Sequence, residues 1–223
     1  MTMMTKTLGL ILLAGLCAMH SAQAQSAGTW MLRGGPMIIA PQVDSGAMTA
    51  PSLPDTRIQV NNATTLGGGI SYMWTDHISF DVPLAVPFKH HIKGDGAIKG
   101  VGEIGTVEVV PATLFTQYRF FEANARWRPY VGLGITYVNF INETGNGTLT
   151  AITDPGGSTT MRVSDKFAIT PQVGVTWSID DHWFAEAMAG QTLLKVTAKL
   201  STGQKIDATL NPIIAGLYIG YRF

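Results

Sequence analysis

The chain of 223 residues is electrically balanced, with 15 basic and 15 acidic residues, and only 13% of its residues are charged. Balanced charge gives no reason to expect a nucleic-acid partner, and a single cysteine, Cys17, cannot form a disulfide framework. Beyond the amino terminus no stretch reaches the roughly 18 consecutive apolar residues of a spanning helix, so this chain could span a membrane only as a closed β-barrel.

The amino-terminal segment has the pattern of an export signal. Lys6 provides a positive start, Leu8 to Ala18 form a short apolar run, and Ala22-Gln23-Ala24 fits a small-x-small cleavage site. We therefore expect residues 1–24 to be a signal peptide that is removed, leaving residues 25–223 as one domain. A lipid anchor on the cysteine of this run is disfavoured because a leucine precedes it, where such sites want a small residue.

Period-two alternation of apolar with small or polar residues predicts eight β-strands in the rest of the chain. The predicted strands are Thr29 to Pro41, Ile58 to Trp74, Ile78 to Phe88, Thr106 to Phe121, Arg128 to Asn142, Asp165 to Ile179, Trp183 to Leu200 and Ile206 to Phe223. The predicted longer loops are Val43 to Arg57, His90 to Glu103, Glu143 to Ser164 and Ser201 to Gln204. Short turns alternating with longer polar loops are typical of bacterial outer-membrane barrels, whose periplasmic turns are short.

The third and the last predicted strands show the alternation most clearly. One face of the third strand carries Ile78, Phe80, Val82, Leu84, Val86 and Phe88. One face of the last strand carries Ile213, Ala215, Leu217, Ile219, Tyr221 and Phe223, and the terminal aromatic residues resemble the signal that the barrel-assembly machinery reads. Tyr221 and Phe223 are therefore the candidate assembly signal.

Aromatic residues collect at the turn-side ends of the predicted strands, as in the girdle of an outer-membrane barrel. They are Trp30, Tyr72, Trp74, Phe120, Trp177, Trp183, Tyr221 and Phe223. A secreted β-sandwich or lipocalin-like barrel also alternates, but its second face should carry Lys and Glu rather than Gly, Ala, Ser and Thr. The sequence thus predicts an all-β, eight-stranded, antiparallel up-and-down transmembrane β-barrel in the bacterial outer membrane.

Several segments taken together resemble the outer membrane protein W family of eight-stranded barrels. They are WMLRGG, VNNATTLGGGISYMWTDHISFDV with VPFKH after it, VVPATLFTQYRF, RPYVGLGITYVNF, QVGVTWSIDDHWF and GYRF. These segments occur in order over nearly all of the chain that follows the signal peptide. The resemblance implies passage of small hydrophobic molecules through the outer membrane, with alkane-import barrels among the relatives.

The resemblance also implies a plug in the lumen. Family members close the lumen with bulky apolar side chains on the third and seventh strands, and the matching positions here are the smaller Pro83 and Gly190. Either the lumen is wider, or other inward residues form the plug and line the hydrophobic pathway. The inward candidates are Met31, Met37, Phe115, Met188 and Tyr218.

Five charged residues fall on the inward face of their predicted strands, namely Arg33, Asp81, Arg119, Glu186 and Arg222. An unpaired charge inside a narrow barrel is expensive, so we expect these groups to pair and to occlude the periplasmic half of the lumen. An eight-stranded barrel holds only its own side chains or one small ligand. We expect hydrophobic solutes to bind an apolar upper pocket and to leave sideways where prolines interrupt the strand ladder, at Pro36, Pro83, Pro87 and Pro111.

The sequence therefore predicts a passive conduit for uptake or efflux of small hydrophobic molecules, with no enzymatic activity, cofactor or metal. Expected partners are outer-membrane lipid and lipopolysaccharide, small hydrophobic solutes and the barrel-assembly machinery. One alternative is a structural, receptor-like or adhesin-like barrel with a packed lumen, whose loops Val43 to Arg57 and Glu143 to Ser164 bind partners.

The second alternative is a lipid-modifying outer-membrane enzyme. His90 and His91 are the clustered candidates for acid-base chemistry, but no spacing ties Ser158 or Ser164 to them. A cationic rim that lies against anionic lipopolysaccharide explains the same histidines, because lysines flank them.

Overall fold

The computed structural model describes residues 25–153 and 157–223, so the predicted signal peptide, residues 1–24, lies outside the described residues. The strands are β1 Trp30–Ala40, β2 Asp44–Ser45, β3 Thr56–Val60, β4 Ala63–Met73, β5 Ile78–Ala85, β6 Phe88–Gly96, β7 Glu103–Arg119, β8 Trp127–Gly145, β9 Met161–Val163, β10 Lys166–Ser178, β11 Trp183–Gln191, β12 Lys195–Leu200, β13 Lys205–Thr209 and β14 Ile213–Arg222. One short helix, α1, spans Gly147–Thr153. Within the described ranges, no helix has the length and apolar character needed to cross a bilayer.

Eight antiparallel strands close into a barrel in the order β1, β4, β5, β7, β8, β10, β11 and β14, with β14 pairing back onto β1. The closing seam joins the first and last of these strands, and the Phe223 amide donates to the Trp30 carbonyl at 2.9 Å. Closure leaves no free sheet edge at the seam, so backbone groups are paired within the wall. The predicted fold class is confirmed.

The outward residues of these eight strands form an apolar belt. At the turn end, aromatic side chains such as Trp74 and Trp127 are more than half exposed, and at the loop end Leu66 and Phe167 are 68% and 76% exposed. Above the belt the outward positions change to lysine, at Lys89, Lys93, Lys195 and Lys199. The strands that carry these lysines, β6 and β12, therefore lie beyond the lipid-facing part of the barrel.

The predicted second and third strands are each wrong at one end. The predicted strand Ile58 to Trp74 breaks at Asn61, and the predicted strand Ile78 to Phe88 breaks at Pro87. Ile58 and Phe88 were expected to face outward but are buried. The alternation changes phase at each break. Asn61 ends the pairing of β3 with β6, after which β4 pairs with β1 and β5, and Pro87 has no N–H to donate.

Two predicted loops continue the barrel wall above the membrane. The predicted loop His90 to Glu103 contains most of β6 and leads into β7, while Glu143 to Ser164 contains the end of β8, α1 and β9. The predicted strands Trp183 to Leu200 and Ile206 to Phe223 each divide, and their outer parts, β12 and β13, form a second sheet with β2 and β9. Glycine and charge in these segments suggested loops, but apolar residues between the charges face inward and hold the strands together.

Inward glycines make room for large side chains on neighbouring strands, which accounts for part of the high count of 25 glycines. A Cβ atom at Gly134 would lie 2.6 Å from two ring carbons of Phe115, and a Cβ at Gly174 would overlap the Tyr130 ring. The outward Gly34, in contrast, has nothing closer than 3.8 Å. Packing inside the lumen thus requires glycine at Gly134 and Gly174.

Gly174→Val should destabilise the barrel because the added methyl groups displace Tyr130 from the lumen. Overpacking of this kind costs about 1–3 kcal/mol. Urea unfolding in lipid, followed by tryptophan fluorescence, measures the change. Gly34→Val is the matched control and should leave the unfolding midpoint unchanged, and equal midpoints for the two variants would contradict this account of the glycines.

Candidate functional site

The turn end of the lumen is filled by arginine side chains. Arg119 is fully buried and donates to the Gln25 Oε1 atom at 3.2 Å and to the Thr176 hydroxyl at 2.9 Å. Arg128 is also fully buried and donates to the Gln25 backbone carbonyl at 2.8 Å. Arg222 donates through Nη2 to backbone carbonyls near the next turn. The periplasmic mouth is therefore closed by cations that neutral oxygen atoms hold in place.

An ion-pair network crosses the middle of the lumen. Arg33 binds Asp81 through two nitrogens, at 2.6 and 2.9 Å, and its Nε atom lies 3.2 Å from Glu186 without hydrogen-bond geometry. The Tyr130 hydroxyl donates to Glu186 at 2.9 Å, and Ser71 donates to Asp81. The ion-paired side chains are at most 4% exposed. This layer places one cation against two carboxylates.

The predicted charge network forms only in part. Arg33, Asp81 and Glu186 come together, whereas Arg119 and Arg222 do not pair with a carboxylate among the described residues. Arg119 instead bonds neutral side chains and lies over the Tyr130 ring at 4.8 Å. These two arginines sit nearer the turn end than the carboxylates, so inward orientation alone did not make them neighbours.

A small pocket adjoins the ion pairs, and its lining is mostly apolar but includes Arg33 and Asp81. Its free volume is about 30 Å³. Five of the predicted pathway residues line it, namely Met37, Pro83, Phe115, Met188 and Tyr218. Tyr218 and Met37 are in contact, with 3.8 Å between the hydroxyl oxygen and the sulfur. We call this space the lower pocket, and its small volume favours the alternative in which other inward residues fill the lumen.

The two other predicted pathway residues lie elsewhere. Met31 is buried at the turn end, in a cluster with Met73 and Phe184. Gly190 faces inward but does not line the lower pocket. A Cβ atom added at Gly190 would lie 2.9 Å from the Pro171 carbonyl oxygen. Bulky side chains from other strands therefore fill the level at which the resemblance placed the plug.

A row of threonine hydroxyls crosses adjacent strands above the ion pairs. The oxygen atoms are linked in series by distances of 2.9, 2.7 and 3.0 Å, along Thr113, Thr136, Thr170 and Thr192. Sequence reasoning did not single out this row, although its first three members share the inward parity of their strands. Parity gives the face but not the height of a residue, because height depends on the stagger between strands.

A second apolar space lies above the lower pocket, between the outer parts of the strands. We call it the upper chamber, and its free volume is about 80 Å³. Its walls are aliphatic and aromatic side chains from both sheets, with polar side chains only at His90 and Thr192 among the described residues. Ile39, Pro111 and Ile214 line the upper chamber and the lower pocket alike, so the two spaces adjoin.

The barrel wall is interrupted beside the lower pocket. Strand β5 pairs with β7 only from Ile78 opposite Tyr118 to Asp81 opposite Phe115. Farther along the same edge of β7, the next pairing is with β6 and begins at Phe88 opposite Val109. Residues 82–85 and 110–114 therefore face each other without a ladder, and we call this the wall gap. Leu84, which is half exposed on the outer surface, also lines the lower pocket.

Three of the four prolines expected to interrupt the ladder border the wall gap. Pro83 and Pro111 line the lower pocket on either side of the gap, and Pro87 lies between β5 and β6. The fourth, Pro36, pairs normally with Leu66 and interrupts only the pairing of β1 with β14 over two positions. Because proline has no backbone N–H, the wall gap leaves fewer unpaired backbone donors than it would if other residues replaced these prolines.

The two neighbouring histidines face opposite sides of β6. His90 is buried against the upper chamber, and its Nδ1 atom lies 2.8 Å from the Asn61 carbonyl. His91 faces outward and pairs with Glu103 at 2.7 Å. Their side chains do not form one cluster, and no group of three possible metal ligands occurs in residues 25–153 and 157–223.

Comparisons with known proteins agree with this architecture. A family model described as the OmpW family matches residues 26–223. The outer membrane protein W of Vibrio cholerae is 34% identical, with 95% of this chain and 97% of that protein covered. The solution structure of Escherichia coli outer membrane protein W has 30% identity and a TM-score of 0.57, covering 89% and 99% of the two chains.

A crystal structure shows the same fold at lower identity. The outer membrane protein OprG of Pseudomonas aeruginosa is 23% identical, and its structure covers 90% of this chain and 98% of its own with a TM-score of 0.82. The likeness to these solved structures extends over the barrel and its outer extensions together.

Arg33→Met should strongly destabilise the barrel because it leaves two buried carboxylates without their cation. Breaking a buried pair in this way costs about 3–5 kcal/mol. Arg57→Met is the matched control, because Arg57 pairs with Asp55 at a similar 2.7 Å but both side chains are at least half exposed. Its expected cost is about 1 kcal/mol or less. Urea unfolding of both variants in lipid gives the comparison, and similar losses would contradict a structural role for the network.

Proposed function

The chain belongs to the OmpW family of outer-membrane barrels, and from this premise we propose that it is a passive conduit for small hydrophobic molecules. The molecules would enter the upper chamber from outside and leave sideways through the wall gap into the lipid. The observation that carries the proposal is the position of the wall gap, which begins directly after Asp81 and opens beside the lower pocket, whose lining is mostly apolar. The family resemblance, which implies passage of small hydrophobic molecules, gives independent support.

The order of layers along the lumen favours a lateral exit. Each CH₂ group removed from water gains about 0.8 kcal/mol, so an apolar solute is stabilised on entering the upper chamber. Moving from there to lipid exchanges one apolar environment for another. Moving down the axis would instead require displacing Arg33 from Asp81 and Glu186, which exposes buried charges. The lateral route is therefore the cheaper one.

The pathway is narrow and must open as a solute passes. The lower pocket has a free volume of only about 30 Å³. Met37 and Met188 line it, and methionine side chains are unbranched and adapt their shape readily. No energy source is needed, since net flux follows the solute gradient and the same path serves uptake and efflux.

We infer that the protein acts by binding and passage and not by catalysis. His91 is engaged with Glu103 on the outer surface, while His90 lies on the opposite face of β6 with its Nδ1 atom against a backbone carbonyl. The enzymatic alternative required both on one site beside a serine hydroxyl. The relatives named above are described as outer membrane proteins.

We also propose contacts at the two membrane surfaces. Lys89 and Lys195 project outward directly above the apolar belt, at the height where anionic lipopolysaccharide headgroups lie. At the other end Phe223 is 63% exposed and packs against Tyr221, with 5.0 Å between ring centroids. This exposed aromatic pair is what the barrel-assembly machinery would recognise.

Closing the wall gap covalently should block transport. Continuing the register of β5 and β7 places Leu84 opposite Ala112, so Leu84→Cys with Ala112→Cys spans the gap. Joining the two cysteines with a short bis-maleimide should lower uptake of radiolabelled n-octane by cells several-fold, because the exit can no longer widen.

The matched control for this cross-link uses the same two strands where they are paired. Phe80→Cys with Thr116→Cys lies in the intact ladder, and its cross-link should leave octane uptake unchanged. Uptake is compared with that of cells lacking the protein. Equal uptake through linked and unlinked gap variants would exclude the lateral route.

We propose that residues 1–24 are removed on export, as the sequence predicts. Intact-mass spectrometry of protein purified from outer membranes should give a chain that begins at Gln25. Removal of Cys17 would leave the barrel without a native thiol, which the cross-linking experiment uses. A mass that includes Met1, or one that shows acyl groups on Cys17, would contradict the proposal.

A further inference from the structure

His90 is the one ionisable side chain that lines the upper chamber among the described residues. It is only 3% exposed, although histidine is a polar residue with two nitrogen atoms to satisfy. The chamber walls around it, including Ile92, Val109 and Ile58, are apolar. A buried polar group in such surroundings is costly unless each of its hydrogen-bonding atoms has a partner.

Only one of the two ring nitrogens of His90 has a partner. Its Nδ1 atom lies 2.8 Å from the Asn61 carbonyl oxygen. A carbonyl can only accept, so Nδ1 carries the proton and donates this bond. In a neutral imidazole the other nitrogen, Nε2, then presents a lone pair, and no described residue donates to it.

The imidazole is neutral at pH 7. Burial lowers the pKa of His90 below its ordinary value, and the neighbouring His91 lowers it further, while the bond to the Asn61 carbonyl acts in the opposite direction. Because His90 lines the upper chamber and its Nε2 atom is not among the fully buried atoms without a partner, Nε2 is accessible as a hydrogen-bond acceptor. The second polar lining residue, Thr192, is already bonded to the Thr170 hydroxyl at 3.0 Å.

We propose that the upper chamber selects amphipathic molecules that combine a short aliphatic chain with one hydrogen-bond donor, and that His90 Nε2 receives this donor. Primary alcohols are the simplest members of the class. The inference rests on the proposed function, because it names the chemistry of the molecules that enter the same pathway. A pure hydrocarbon has no donor and would leave Nε2 without a hydrogen-bond partner.

The position of His90 suits this role. It lies two residues beyond Phe88, where pairing between β6 and β7 begins at the upper border of the wall gap. A molecule whose head is bound at Nε2 extends its apolar chain along the chamber wall toward Pro111, which lines both apolar spaces. The head is then released last, when the chain has entered the lower pocket.

The test compares 1-hexanol with pentyl methyl ether, which has the same number of heavy atoms but no donor. Chamber methyl groups and the imidazole nitrogens are observed by NMR for the purified barrel in nanodiscs, and binding is corrected for partitioning into empty nanodiscs. We expect hexanol to bind about fivefold tighter than the ether, the gain of one net hydrogen bond. Only hexanol should shift the Nε2 resonance of His90.

Two variants assign the preference to one nitrogen atom. His90→Leu should bind both compounds equally, while His91→Leu, which changes the same residue type on the outer face of the same strand, should keep the fivefold preference. Variants are compared only after their amide spectra show an inserted barrel. The Nε2 shift in the unmodified protein tests the inference even if His90→Leu does not fold.

The outcomes separate this inference from the proposed function. Equal binding of both compounds to the unmodified barrel, or a preference that survives in His90→Leu, overturns the role of His90 and leaves the hydrophobic conduit standing. The role of His90 is also overturned if His91→Leu, like His90→Leu, loses the preference for hexanol over the ether. If neither compound shifts chamber residues, the chamber is not a binding site and the proposed function fails with it.

Discussion

Pairing of backbone N–H and C=O groups within the wall is the constraint on which the rest of this structure depends. In hydrocarbon an unpaired backbone group costs several kcal/mol, and a closed ladder of eight strands removes that cost. The wall gap between residues 82–85 and 110–114 is a local exception. It occurs where Pro83 and Pro111 contribute no donor, and where the gap borders the mostly apolar lower pocket directly above Asp81. The exception to the constraint thus coincides with the place of the proposed lateral exit.

Polarity changes in steps along the lumen, and each step has a structural cause. Arginines at the turn end are held by carbonyl and amide oxygens, and the layer above contains ion pairs between Arg33 and two carboxylates. A row of threonine hydroxyls follows, and the upper chamber is apolar except for His90 and Thr192. The stepwise order separates a sealed periplasmic half from an adaptable outer half. The proposed binding site lies in the outer half.

The sequence predicted the membrane-spanning part well because period-two alternation survives wherever one face meets lipid. The same pattern also placed Arg33, Asp81 and Glu186 inside the barrel. It could not predict that Arg119 and Arg222 lie at another height, since the stagger between strands is not encoded in the alternation of any one strand. His90 and His91 were treated as one cluster because they are adjacent in the chain. In a strand, adjacent residues face opposite sides, and the predicted loop hid that strand.

The extension strands that lie in predicted loops, β6 and β9, could not be predicted for a related reason. Their outward residues are charged and their inward residues apolar, so composition averaged over the segment resembles a loop. At Asn61 and Pro87 the alternation also changes phase, which a continuous count cannot register. The row of threonines and the upper chamber both depend on these extensions and on stagger. They therefore became visible only in three dimensions.

The seam between β1 and β14 sets the timing of folding. Strand β1 can pair with β14, one of its two neighbours, only after the last strand is present. The hydrogen bond from the Phe223 amide to the Trp30 carbonyl belongs to this pairing. Contacts this distant in sequence are slow to form, because the entropy of the whole intervening loop must be lost before they can stabilise anything. Until that moment both strands are open edges that can pair with other chains. The barrel is consequently most vulnerable to aggregation just before it is complete, and escort across the aqueous periplasm is a physical requirement of its topology.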